Sequence, residues 1–185
     1  MAELALEEAE EKMKKAVEAT RREFNGIRTG RASPALLDRV SVDAYGTHLP
    51  LNQVATISVP EPRLLVISPW DKGTIGPIER AIMKSDLGLN PMSDGNVIRL
   101  AIPALTEERR RDLTKLVHRK AEEGKVAIRN VRRDANEELK KLRKAGDLSE
   151  DDEKRAEERV QKLTDKYIAE IDRVQQHKEQ EVLEV

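Results

Sequence analysis

Lys125, Arg129, Arg132 and Asn136 recur at spacings of four, three and four. On a helix of ~3.6 residues per turn, that spacing stacks them along one side. Guanidinium groups make forked contacts to phosphate oxygens and stay charged at any relevant pH, so a rigid row of this kind suits a nucleic-acid backbone. On a wheel advancing ~100° per residue, with Leu113 at zero, His118 and Arg143 share the sector between ~100° and ~160°. Carboxylates nearly avoid that sector, with Glu122 at its border. Base-stacking aromatics are missing from it too, which favours folded RNA or DNA read by shape and phosphate position over single strands. Arg28 and Arg31 flank the end of an earlier helical stretch, where they either extend the basic patch or cap a helix.

Nothing comparable supports bond chemistry. His48, His118 and His177 are isolated from one another, and His118 has only a lone Glu122 at helical metal spacing. Asp151 and Asp152 stand at a helix start, where offsetting the positive helix end explains them better than acid–base work. Gly73-Thr-Ile-Gly76 lacks the lysine and the spacing of a phosphate loop. The chain has no cysteine, which excludes a disulfide framework, a thiolate metal site and a Cys nucleophile. No enzyme activity, metal or cofactor is expected.

The elements that must position the basic row follow from charge and proline distribution. Residues 106–146 hold 14 Lys+Arg and 8 Asp+Glu, a net of +6, whereas 147–185 carry a net of −6. The remaining segments, 1–30 and 31–105, are close to neutral, so the overall charge of −1 conceals one cationic element. Apolar residues at Leu113, Val117, Gly124, Ile128, Val131, Ala135 and Leu142 predict a helix over 106–146, with Thr106 as its N-cap and Gly146 as its end. A second helix over 1–28 has a seam of Leu6, Ala9, Met13, Ala16, Thr20, Phe24 and Ile27, with Gly30 closing it. A third opens at Ser149 and runs on through Ala156, Val160, Leu163, Tyr167, Ile171 and Val174. Gly124 on the apolar face costs ~1 kcal/mol relative to Ala and implies close approach of a neighbouring helix.

All eight prolines lie between Pro34 and Pro103, where charge density drops. Short β-branched runs at 40–44, 54–59, 64–68 and 97–102 predict strands, and 74–85 predicts a short helix. Trp70 is expected in the core of this small module. The fold class is therefore α+β: a long antiparallel three-helix bundle with a small α/β domain inserted between helices one and two. The bundle comprises 1–30 and 106–185, the insert 31–105, and the crossings near 29–32 and 101–106 suit hinges because they are short and contain Gly or Pro. The acidic N-terminal stretch lacks a signal-peptide pattern, and no run of ~18 apolar residues can span a bilayer. A soluble cytoplasmic protein is expected. The +6 and −6 helices lie side by side in this fold, so mutual pairing accounts for part of the charge excess.

Four long stretches carry a resemblance: Ile27-Arg-Thr-Gly-Arg-Ala-Ser-Pro34, Ala81-Ile-Met-Lys-Ser-Asp-Leu-Gly-Leu-Asn-Pro91, Leu105-Thr-Glu-Glu-Arg-Arg110 and Asn130-Val-Arg-Arg-Asp-Ala-Asn136. Through them the whole chain resembles the bacterial ribosome recycling factors, also called ribosome-releasing factors. The resemblance implies a bundle domain that binds the 50S subunit through 23S rRNA, and an α/β domain that swings on two hinge strands. It implies a translation factor that enters the post-termination ribosome and, with elongation factor G and GTP, splits the subunits and frees mRNA. The rRNA contacts it implies are Arg132, Arg129, Lys125, Arg110, Arg28 and Arg31. The hinge residues are Thr29, Gly30, Arg31, Ala32, Pro103, Ala104 and Leu105. His118 stands where a more basic residue is common. A monomer without a cofactor or membrane partner is expected.

Two further readings fit the residues: a ribosome- or RNA-binding module without splitting activity, and a helical interaction scaffold whose charges serve solubility and intrachain pairing. Salt-dependent binding to large-subunit RNA separates the scaffold from the others. Subunit splitting separates the recycling factor from the binding module.

Overall fold

The structure is a computed structural model describing residues 1–184. Helix α1 spans Ala2–Asn25, α2 Ile75–Lys84, α3 Glu107–Lys144 and α4 Glu150–Leu183. The chain forms two compact units: Met1–Phe24 with Arg111–Leu183, and Asn25–Arg110 with Glu184. The division falls five residues outside the expected boundaries on each side, so the crossings at 29–32 and 101–106 lie within the second unit.

The first unit is a bundle of α1, α3 and α4. At one end Ala5, Leu6 and Ala9 pack with Ala135 and Leu139 of α3 and with Ala156 and Val160 of α4. Toward the other end Arg21 of α1 reaches Glu170 of α4, and Lys120 of α3 reaches Glu23 of α1. Helices α1 and α4 are therefore parallel, and α3 runs against both. At ~1.5 Å per residue the 38-residue α3 is about 57 Å long.

The helix ends have local causes. Thr106 Oγ1 accepts from the Arg109 amide and Ser149 Oγ from the Asp152 amide, both at 3.1 Å, so each caps its helix. Gly146, at φ +80°, ends α3 while the Gly146 amide donates to the Arg143 carbonyl and the Asp147 amide to that of Leu142. Helix α1 stops at Asn25 rather than near Gly30, since Asn25-Gly26 pairs two weak helix formers.

A strict three-four seam proves too narrow. Ala16, Ile27, Val131, Leu142, Leu163 and Val174 are only half-buried, whereas Val17, Ala121, Leu139, Thr164 and Val182 are buried. The α-helical period of ~3.6 drifts off a 3.5-residue seam, and a helix facing two neighbours buries a wider stripe. Gly124 does meet its neighbours closely: a Cβ there would overlap Thr20 Oγ1 and lie 2.9 Å from Ile171 Cδ1.

The second unit holds a hairpin of β1 (Ser41–Ala44) and β2 (Thr47–Pro50). It also holds an antiparallel sheet ordered β3 (Ala55–Glu61), β4 (Leu64–Pro69), β6 (Ile98–Ala101), β5 (Pro91–Ser93). Strands β2 and β5 escape the pattern because each is short, contains proline and exposes most of its residues. Leu65, Ile67, Ile98 and Leu100 pack with Ile78 and Ile82 of α2 to form the core. Trp70 is not part of it. Two-residue alternation along β4 puts it on the side opposite Leu65 and Ile67, and it is 67% exposed. The Ala32 amide donates to the Pro62 carbonyl at 2.7 Å and the Ile102 amide to that of Arg63 at 2.8 Å, so both crossings are tied to the turn between β3 and β4.

Gly124→Ala is expected to lower bundle stability by ~1–3 kcal/mol through overpacking, even though alanine favours helix by ~1 kcal/mol. Thr20 can yield only by giving up its bond to the Ala16 carbonyl. Thermal unfolding checks this, and an unchanged or raised Tm contradicts the close approach.

Candidate nucleic-acid interface

The buried residues of α3 centre near ~45° on the wheel that has Leu113 at zero, so its outward direction is near ~225°. The row from Lys125 to Arg143 therefore occupies the flank toward α4 rather than the outermost face. Lys125 shows the consequence. Its side chain is 15% exposed, and its Nζ lies 2.5 Å from Asp172 Oδ1 and 3.6 Å from Glu122 Oε1. The hydrogen bond to Asp172 raises the Lys125 pKa above its ordinary value, against the opposing effect of burial. At the far end Arg143 pairs with Glu153, itself buried. An acid-free row on α3 thus receives acids from α4, and the expectation of an outward Lys125 is corrected.

Between these pairs the row stays open. Arg129 and Arg132 are half-buried and have no ion-pair partner among the described residues. Asn136 Oδ1 is buried without a hydrogen-bond partner. A cation that has lost part of its water and gained no carboxylate is poised to gain from a phosphate.

Sequence reasoning missed a second row. Arg111, Lys115, Arg119, Arg133, Lys140 and Lys144 are exposed, and none has an ion pair among the described residues. They fall between ~160° and ~240°, around the true outward direction. Including Ala121 and Leu139 in the apolar stripe would have located it. His118 is exposed beside this row.

The remaining sequence-derived residues belong to the second unit. Arg28 donates to the Leu87 carbonyl and is half-buried there. Arg31 is exposed, with Nη1 3.4 Å from Glu184 Oε2. Arg110 is half-buried, with Nη1 3.6 Å from Glu107 Oε2. These three carry charge committed to local contacts, unlike Arg129 and Arg132. Among the described residues no group of three His, Asp or Glu side chains is placed to hold a metal, and no helix is long and apolar enough to cross a membrane.

A family model described as ribosome recycling factor matches residues 20–183. The chain belongs to the ribosome recycling factor family. It is 62% identical to the ribosome-recycling factor of Halalkalibacterium halodurans and 58% identical to that of Bacillus subtilis, each over all 185 residues of both chains. Among solved structures, it matches a solution structure of the ribosome recycling factor with TM-score 0.82 and 49% identity, covering 100% of this chain and 98% of that one. It also matches, with TM-score 0.70, 50% identity and 99% of both chains covered, a set of models of the T. thermophilus ribosome recycling factor and E. coli elongation factor G on the E. coli post-termination complex. The family fold and the α+β architecture agree.

Lys125→Ala is expected to destabilise the bundle by ~1.5–3 kcal/mol, the range for a hydrogen bond to a charged group. Because folding raises the Lys125 pKa, this contribution is present at neutral pH and fades as pH rises past the ordinary lysine value of 10.5. Denaturant titrations at pH 7 and pH 11 check both parts, and equal losses at the two pH values refute the pairing. Arg132→Ala is expected to keep the wild-type Tm but weaken large-subunit RNA binding and reduce its salt slope by about one. A large drop in Tm, or unchanged affinity, overturns that assignment.

Proposed function

We propose that this chain is a ribosome-splitting translation factor. It binds the post-termination ribosome through the large subunit and, with elongation factor G and GTP, separates the subunits and releases mRNA. Full-length identity to recycling factors supports the reading, and the observation that carries its RNA-binding part is the pair of half-buried, unpaired cations Arg129 and Arg132.

In this reading Arg129 and Arg132 are the principal contacts to 23S rRNA. The outward row at Lys115, Arg119 and Arg133 follows the phosphate backbone. Lys125 keeps α4 in register and reaches rRNA only by yielding its tie to Asp172. Arg110, Arg28 and Arg31 contribute after exchanging their local partners. The factor does no bond chemistry of its own and works in the cytoplasm as a monomer. Binding energy and the partner's GTP hydrolysis shift the association equilibrium of the subunits. The α/β unit turns about Thr29, Gly30 and Arg31 on one crossing and Pro103, Ala104 and Leu105 on the other, while Ala32 stays tied to Pro62.

Light scattering of post-termination ribosomes, with elongation factor G and GTP, tests the reading. Wild type is expected to split them, and Arg132→Ala to require about tenfold more protein for the same rate, as loss of ~1.4 kcal/mol of binding implies. Tight 50S binding without splitting by wild type indicates a binding module instead.

A further inference from the structure

The four-stranded sheet packs one face on α2 and leaves the other open. Directly paired residues share a face, so the register carries Ser58, Val66, Arg99 and Met92 into one row across all four strands, with Thr56 and Ser68 two positions along. Trp70 completes the surface. Its indole Nε1 donates to Thr56 Oγ1 at 3.0 Å, which lays the ring on this face. Its backbone is held as well: the Trp70 amide donates to the Val54 carbonyl, and neighbouring Asp71 accepts from the Tyr45 hydroxyl and the Gly73 amide. Trp70 is 67% exposed and Met92 73%.

The solvent side of an antiparallel sheet is ordinarily polar. In a chain with 37% charged residues, these seven positions include one charge, Arg99, and Asp94 neutralises it at 2.8 Å. The Asp94 carboxyl is held far below the usual range by the Val97 amide, Arg99 and the Asn96 amide, so it stays ionised. With no unpaired cation on the surface, a phosphate backbone has nothing to hold. A fixed indole beside methionine, valine and hydroxyl groups matches the centre of a protein contact. The area is on the order of 300 Å², from strands ~4.8 Å apart and ~3.3 Å per residue. That is well under the ~800 Å² per partner of a stable interface, too little for a dimer of this chain. Such a surface suits a partner already held nearby, for which a weak contact suffices.

We propose that this open sheet face is the docking surface for elongation factor G, engaged while both proteins are bound to the ribosome. The assignment rests on the recycling function proposed above. Trp70 and Met92 are its anchors, and the neutral Arg99–Asp94 pair removes the penalty a lone charge would impose against an apolar partner.

The chain has no cysteine, so Asn96→Cys, in the turn between β5 and β6, takes a single environment-sensitive dye. The labelled protein, bound to 50S subunits, is titrated with elongation factor G and a non-hydrolysable GTP analogue, and splitting is followed separately. The expected result is a saturable dye response whose midpoint rises about tenfold in Trp70→Ala and Met92→Glu. Met83→Glu, equally exposed but on α2, leaves the midpoint unchanged, and 50S affinity is the same in all variants. A silent dye in a protein that splits ribosomes overturns the docking surface. So do unchanged midpoints in Trp70→Ala and Met92→Glu, an equal loss in Met83→Glu, reduced 50S affinity without the factor, or a wild-type dimer that those two substitutions dissociate. A responding dye in a wild-type protein that does not split ribosomes upholds the surface and refutes the recycling reading.

Discussion

Two ion pairs, Lys125 with Asp172 and Arg143 with Glu153, bracket about five turns of the seam between α3 and α4. A cation on that flank loses water when the helices pack, and the loss is tolerable only where a carboxylate replaces it. Helix α4 supplies carboxylates at both ends and none at Arg129 or Arg132. The rest of the bundle makes that uneven supply tolerable. Close approach at Gly124 and the apolar contacts among Leu6, Leu139 and Val160 hold the helices together without neutralising the middle. The unbalanced stretch is then available to a polyanion.

The division of labour between the two units follows from the same accounting. The bundle carries its surplus charge in the open, in rows on a rod stiff enough to keep its spacing. The α/β unit is neutral and matches its charges internally, as Arg99 and Asp94 do. One unit is suited to a phosphate surface and the other to a protein surface. A factor that works between ribosomal RNA and a protein GTPase needs both.

Much of this was legible in the chain, for definite reasons. The confinement of proline to 34–103 separates the insert from the helices because proline is excluded from helix interiors. The caps at Thr106 and Ser149 and the close approach at Gly124 are local signals with one main interpretation. The pairing of Lys125 was not legible, because a wheel for α3 alone cannot show which flank another helix covers. Trp70 misled for a related reason: large aromatics are usually buried, and only the register of β4 against β3 and β6 shows which side of the sheet residue 70 takes. The outward row at Lys115, Arg119 and Arg133 was hidden by a seam drawn too narrow.

The turn between β3 and β4 accepts a hydrogen bond from each of the two crossing segments, Ala32 to Pro62 and Ile102 to Arg63. Two tethers rooted at one point act as an axle rather than as independent springs. Motion that carries both tethers together leaves each bond intact, whereas pulling on one alone must first tear it from the shared root. The stiff and soft directions of the linkage are thus set by two amide protons, and a load on either strand is shared with the other.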